Sequence, residues 1–174
     1  MSAEVGSHRP PLQEIRTLLA AFLTWRTQVC NDRPGCMPQK SSSRKKLTRQ
    51  EQRDLDVEIG FIEGVVNRDP GYVEALQILG DNYTRRGRYD EGLRIDEQLA
   101  RLRPDDALAH YNLACSYSLT EQFAAAVAAV DKALDLGYRD FKWMSRDPDL
   151  AKLRKHPLYR KIRVRIKAME VKVR

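Results

Sequence analysis

Displaced against itself by 34 residues, the chain sets Leu76, Leu79, Gly80, Tyr83, Tyr89, Gly92 and Leu99 on His110, Leu113, Ala114, Tyr117, Phe123, Ala126 and Ala133. Matching character at one fixed offset marks an internal repeat. A repeat constrains architecture strongly, because each unit can bury its apolar face only against its neighbours. Within each unit the spacing is helical: Leu76, Leu79 and Tyr83 lie three and four apart, as do Phe123, Ala126, Val127 and Val130. GRY at 87–89 and TEQF at 120–123 interrupt these patterns, so each unit predicts a pair of antiparallel helices.

Residue choice within the units follows from packing. Gly80 and Ala114 are small where one helix presses on its partner, and Gly92 and Ala126 are small on the opposing helix. Tyr83 with Tyr89, and Tyr117 with Phe123, would fill the wedge beside each crossing. Pro104 ends the second helix of the first unit, since proline cannot continue a helix. Asp105 and Asp106 follow at the positive end of the next helix.

LQILGDNYTRRGRYDEG and HYNLACSYSLTEQFAAA, with RLRPDD supplying a terminal proline, resemble the tetratricopeptide repeat. Leu76 and His110 stand where that family usually has tryptophan, Gly92 stands where alanine is usual, and Gly137-Tyr138 replaces an acidic-Pro ending. The resemblance implies an all-α fold, a right-handed superhelical solenoid of antiparallel helix pairs with full units at 71–104 and 105–140. One period before Pro104 lies Pro70, and LDVEIGFIEGVVNRDP places Leu55, Ile59, Ile62, Val65 and Val66 on one stripe, predicting a cap helix or half repeat over 54–70. GYRDFKWMSRDPDLAKLRKHPLYRKI resembles a closing segment found after such repeats in bacterial proteins. On that resemblance, 141–174 forms a basic capping segment in which Phe141, Trp143, Met144, Leu150, Leu153, Leu158 and Ile162 cover the last unit.

Residues 1–53 are expected to be poorly ordered or an extension, with Met37 as an alternative start. Leu12, Ile15, Leu19, Phe22 and Val29 at helical spacing also fit a short amphipathic helix or a signal-like segment. The longest apolar run, LLAAFLTW, is well short of the roughly 20 residues a membrane-spanning helix needs. Cys30, Cys36 and Cys115 have no paired metal spacing and make an odd count, so a reducing cytoplasmic setting is expected.

Catalytic signals are missing. His8, His110 and His156 are scattered, and no phosphate-binding loop, nucleophile elbow or metal-ligand spacing occurs. Cys115 sits in NLACSYS, where a small packing residue is expected. The chain is therefore expected to be a non-enzymatic interaction module without cofactor or metal, an adaptor or assembly factor for a protein or peptide ligand.

On the resemblance, the first helix of each pair lines a concave binding face. That face would carry Glu74, Gln77, Ile78, Asp81 and Thr84 in the first unit, and Leu108, Tyr111, Asn112, Cys115 and Ser118 in the second. Tyr111 would be its amphipathic anchor. A narrower expectation is a clamp for a partner's terminal carboxylate, formed by Asn112 with Lys142 and Arg146, although Asp81 would oppose an anion. The alternative is a nucleic acid or other anionic surface at the basic end. Residues 141–174 hold twelve Lys or Arg against three Asp or Glu. Lys152, Arg154, Lys155, Arg160, Lys161, Arg163, Arg165, Lys167, Lys172 and Arg174 would offer phosphate contacts. Leu158, Ile162, Ile166 and Met169 form an apolar stripe that would dock this helix and turn its charges outward. Self-association of an incompletely capped array is a further expectation.

Overall fold

The computed structural model describes Thr17 and residues 46–171, the latter within one compact unit spanning 41–174. Apart from Thr17, the amphipathic stretch at 10–29 lies outside the described residues, as do the alternative start at Met37, Lys172 and Arg174. The described chain is helical throughout, with no strand among the described residues. Its helices are α1 (Arg49–Arg68), α2 (Val73–Arg86), α3 (Tyr89–Leu102), α4 (Ala107–Leu119), α5 (Phe123–Asp135), α6 (Phe141–Met144), α7 (Ala151–Lys155) and α8 (Tyr159–Val171). A short 3-10 turn over Pro148–Leu150 leads into α7.

α1 starts at Arg49, earlier than the expected boundary at 54. The reason is local. Thr48 Oγ1 accepts from the Glu51 amide at 3.2 Å while the Thr48 amide donates to the Glu51 carboxylate at 2.7 Å, a capping box that satisfies two otherwise orphaned donors. Residues 49–53 thus belong to the folded body rather than to a poorly ordered extension. The stripe Leu55, Ile59, Ile62, Val65 and Val66 is buried as the spacing predicts.

Consecutive helices from α1 to α5 pack each on the next. The connections within the two pairs are built alike. In the α2–α3 turn, Gly87 N–H donates to Thr84 O at 3.2 Å and Arg88 N–H to Tyr83 O at 2.8 Å. Thirty-four residues on, Glu121 N–H donates to Ser118 O at 3.3 Å and Gln122 N–H to Tyr117 O at 2.8 Å. Both turns need a left-handed residue, supplied by Gly87 at φ 85° and by Glu121 at φ 61°. The recurrence extends to side chains. Tyr83 donates to Glu63 at 2.5 Å, and Tyr117 donates to Glu97 at 3.0 Å, in each case back to the preceding helix.

The close approach expected at Gly80 is present, and a Cβ there would stand 3.2 Å from Asp96 Oδ1. Downstream, Trp143, Met144, Leu150, Leu153 and Ile162 are buried in one apolar cluster with Tyr111, Val130 and Leu134, and Phe141 and Leu158 are packed against it. Burying side chains of this size contributes about 1.5–3 kcal/mol each. The closing segment is thereby continuous with the core. α8 lies on α5 and α7.

Candidate functional site

Among the residues expected on the binding face, those of α2 and of the N-terminal part of α4 are at least partly accessible. Glu74, Gln77 and Asp81 are exposed, and Ile78 and Thr84 are half-buried. On α4, Leu108 is 46% exposed and Asn112 is half-buried. A capped N-terminus presents this end of α4, because Asp106 Oδ1 accepts from the Leu108 amide at 2.8 Å and the Ala109 amide at 3.3 Å.

The remaining α4 residues are placed differently from expectation. Tyr111 is 1% exposed, and Cys115 and Ser118 are buried as well. The chain's own closing segment covers them. The Tyr111 hydroxyl donates to Asp147 Oδ2 at 2.7 Å, its ring stacks on Tyr138 with centroids 4.2 Å apart, and the Ser118 hydroxyl donates to the Asp149 carbonyl at 2.7 Å. Tyr111, Cys115 and Ser118 therefore hold the closing segment and are not open to a ligand. The physical reason is an apolar one: Leu150 and Leu153 must leave water, and the α4 surface is where they do so.

Asp147 is the centre of this contact. It is 4% exposed, and its Oδ2 accepts from Tyr111, from the Trp143 indole N–H at 2.7 Å and, at 3.8 Å, from Cys115 Sγ. Its Oδ1 accepts from the Asp149 amide at 3.0 Å, and Arg154 donates to its backbone carbonyl. A carboxylate held this way satisfies the general requirement that a buried charge be hydrogen-bonded. Burial pushes the Tyr111 hydroxyl well above the usual tyrosine range, reinforced by Cys115 and Asp147. The hydroxyl thus remains a donor.

Of the residues expected to form a carboxylate clamp, Asn112 is half-buried on α4. Lys142 and Arg146 are exposed, and the Arg146 guanidinium lies over the Trp143 ring, 5.6 Å from its centroid. The carboxylate that reaches this face of α4 is Asp147 itself.

A buried acid missed in sequence joins the two helix pairs. Asp96 on α3 is 7% exposed and accepts from the Ser116 hydroxyl of α4 at 2.5 Å. Desolvation raises its carboxyl to about 6, the Ser116 bond opposes the rise, and Asp81 and Asp149 add to it. Only the periodicity signals it: Asp96 occupies the register that Val130 holds in the second pair.

At the basic end the candidates separate into two groups. Arg165 is engaged, donating to Asp131 Oδ1 at 2.9 Å and to Asp135, so it anchors α8 to α5 rather than facing a partner. Lys152 is paired with Glu121 at 2.6 Å, and half-buried Arg154 donates to backbone carbonyls. Lys155, Arg160, Lys161, Arg163 and Lys167 are exposed. Tyr159, the aromatic closest to them, is 5% exposed and turned into the core.

His110, which stands where the repeat usually has tryptophan, is half-buried, with its Nε2 2.9 Å from the Pro104 carbonyl. Among the described residues no group of three metal-ligating side chains converges, and no helix is long and apolar enough to cross a membrane.

No family model matches the chain. Over 79 residues it is 39% identical to a chloroplastic protein of Arabidopsis thaliana, a match covering 44% of this chain and 24% of that protein. The chain spans about a quarter of the length of this curated relative.

Proposed function

We propose that this chain is a non-enzymatic protein-interaction module, a right-handed solenoid of tetratricopeptide-like helix pairs that recognises a peptide or protein surface. The observation that carries the reading is the 34-residue recurrence of Tyr83 to Glu63 and Tyr117 to Glu97 together with their matched turns. Hydrogen bonds that recur with the sequence period are expected when successive units stack in one repeated geometry. Such stacking leaves one helix face per unit available for recognition.

In this reading the face in use is narrower than the sequence suggests. The outward side of α2 with Glu74, Gln77 and Asp81, bordered by Leu108 and Asn112, receives the partner, while the closing segment occupies the rest. An adaptor or assembly role is the function such a surface supports.

The test is capture of partners from nuclease-treated lysate by the chain and by a Glu74→Arg, Gln77→Arg, Asp81→Arg variant. All three positions are exposed, so circular dichroism should be unchanged. A protein retained by the parent and lost by the variant supports the reading. Equal retention by both removes this face from recognition.

A further inference from the structure

The outward ridge of α8 has a composition that packing does not explain. Arg160, Arg163, Val164 and Lys167 form an i, i+3, i+4, i+7 stripe, with Lys161 alongside, and all five are exposed. Val164 is 62% exposed in the middle of these cations. Beside it a shallow depression is lined by Pro157, Leu158, Arg160, Lys161 and Val164, mostly by their apolar parts.

None of the four cations forms an ion pair within the described residues, whereas Arg165 on the opposite side is bound by Asp131 and Asp135. The first turn of α8 contains no acidic residue but does contain Arg160 and Lys161. Cations there oppose the helix macrodipole, so their placement lowers rather than raises the stability of the helix. An external anion would relieve that repulsion.

We infer that this ridge docks an acidic protein segment that carries one aliphatic side chain among its carboxylates. Its carboxylates meet Arg160, Lys161, Arg163 and Lys167, and its aliphatic side chain enters the depression against Leu158 and Val164. Two features select this occupant over other polyanions. Single-stranded nucleic acid binds through exposed aromatic platforms, and Tyr159 is buried. Insertion into a lipid surface needs a broad apolar face, whereas Val164 is the only exposed large apolar side chain on the described part of α8. The inference is independent of the α2 face and stands or falls separately from it.

The experiment uses the full chain and fluorescence anisotropy of a labelled polyglutamate peptide with one central leucine. The leucine-free peptide, a single-stranded RNA oligonucleotide and anionic phosphatidylglycerol vesicles serve as competitors. The leucine peptide is expected to bind, to weaken with added salt, and to bind about tenfold more weakly to Val164→Ser, the scale of one buried valine contact. Arg160→Glu with Lys161→Glu should abolish binding of both peptides while leaving helix content intact. Equal affinity for the two peptides, no effect of Val164→Ser, or more effective competition by RNA or vesicles would overturn the assignment. A loss of binding confined to changes at Glu74, Gln77 and Asp81 would likewise reject it and support the α2 face instead.

Discussion

Tyr111 and Asp147, 36 residues apart, meet through a 2.7 Å hydrogen bond that closes the folded body over α4. The bond explains how a tyrosine at a nominally open helix face becomes 1% exposed. It also turns an expected ligand contact into a structural one.

Tyr111→Phe should therefore act on stability. The substitution keeps the ring and its stacking on Tyr138 but removes one donor to a buried carboxylate, at a cost of about 1–3 kcal/mol. Trp143→Phe removes a second donor to the same oxygen and should cost a similar amount. The two changes share one acceptor, so their combination should be non-additive. Urea unfolding midpoints of the two single variants and the double variant measure this. A midpoint unchanged in Tyr111→Phe would show that Asp147 does not depend on this hydroxyl.

How far the sequence was legible depends on the distance over which each fact is encoded. The helix pairs were readable because Leu76, Leu79 and Tyr83 and their counterparts repeat locally, and GRY and TEQF break them at turns that are present. The start of α1 is encoded in Thr48-x-x-Glu51, a short-range capping signal that the apolar stripe beginning at Leu55 does not reveal. Tyr111 could not be placed. Its helical register is correct, but its cover comes from Asp147 and Leu150, and no periodicity specifies where a closing segment lands. Arg165 illustrates the same limit, since a charge run does not reveal which member finds Asp131 and Asp135.

Asp96 predicts a distinctive pH response. Its carboxyl is raised to about 6 in the folded state, above the ordinary value of 3.8. Below about pH 4 both folded and unfolded states hold the proton, and the group costs nothing. As pH rises, the unfolded chain releases the proton first, so stability falls until about pH 6 and the penalty then stays constant. The shift corresponds to about 3 kcal/mol. Asp96→Asn retains an acceptor for Ser116 and should remove this loss, so the stability difference in its favour should grow between pH 4 and pH 7. A difference independent of pH would show that Asp96 titrates normally. The comparison with the variant isolates this group from Asp56, Glu91 and Glu121, whose values are lowered by arginine or lysine partners.

Arg165→Ala should loosen α8 without unfolding the helix pairs. The guanidinium joins Asp131 and Asp135 at a partly exposed site, so the expected cost is about 1 kcal/mol. Hydrogen exchange should quicken in α8 and remain unchanged in α2 and α3. Uniform acceleration across all helices would mean that α8 is part of the main cooperative unit.

The two left-handed turn residues give an opposed pair of outcomes. Gly87 and Glu121 occupy matched turns one period apart, at φ 85° and 61°. A side chain in this region costs about 1 kcal/mol relative to glycine, so Gly87→Ala should destabilise and Glu121→Gly should stabilise. Glu121 does hold Lys152 at 2.6 Å, but both side chains are mostly exposed, which keeps that ion pair at the low end of roughly 0–1 kcal/mol. Relief of backbone strain should therefore win. In thermal melts Glu121→Gly is expected to raise Tm by about 2 °C and Gly87→Ala to lower it by about 3 °C, given the scale for a chain of this size. If Glu121→Gly lowers Tm instead, the Lys152 pair outweighs the strain. That result would make the link from the α4–α5 turn to α7 a larger stabilising element than its exposure implies.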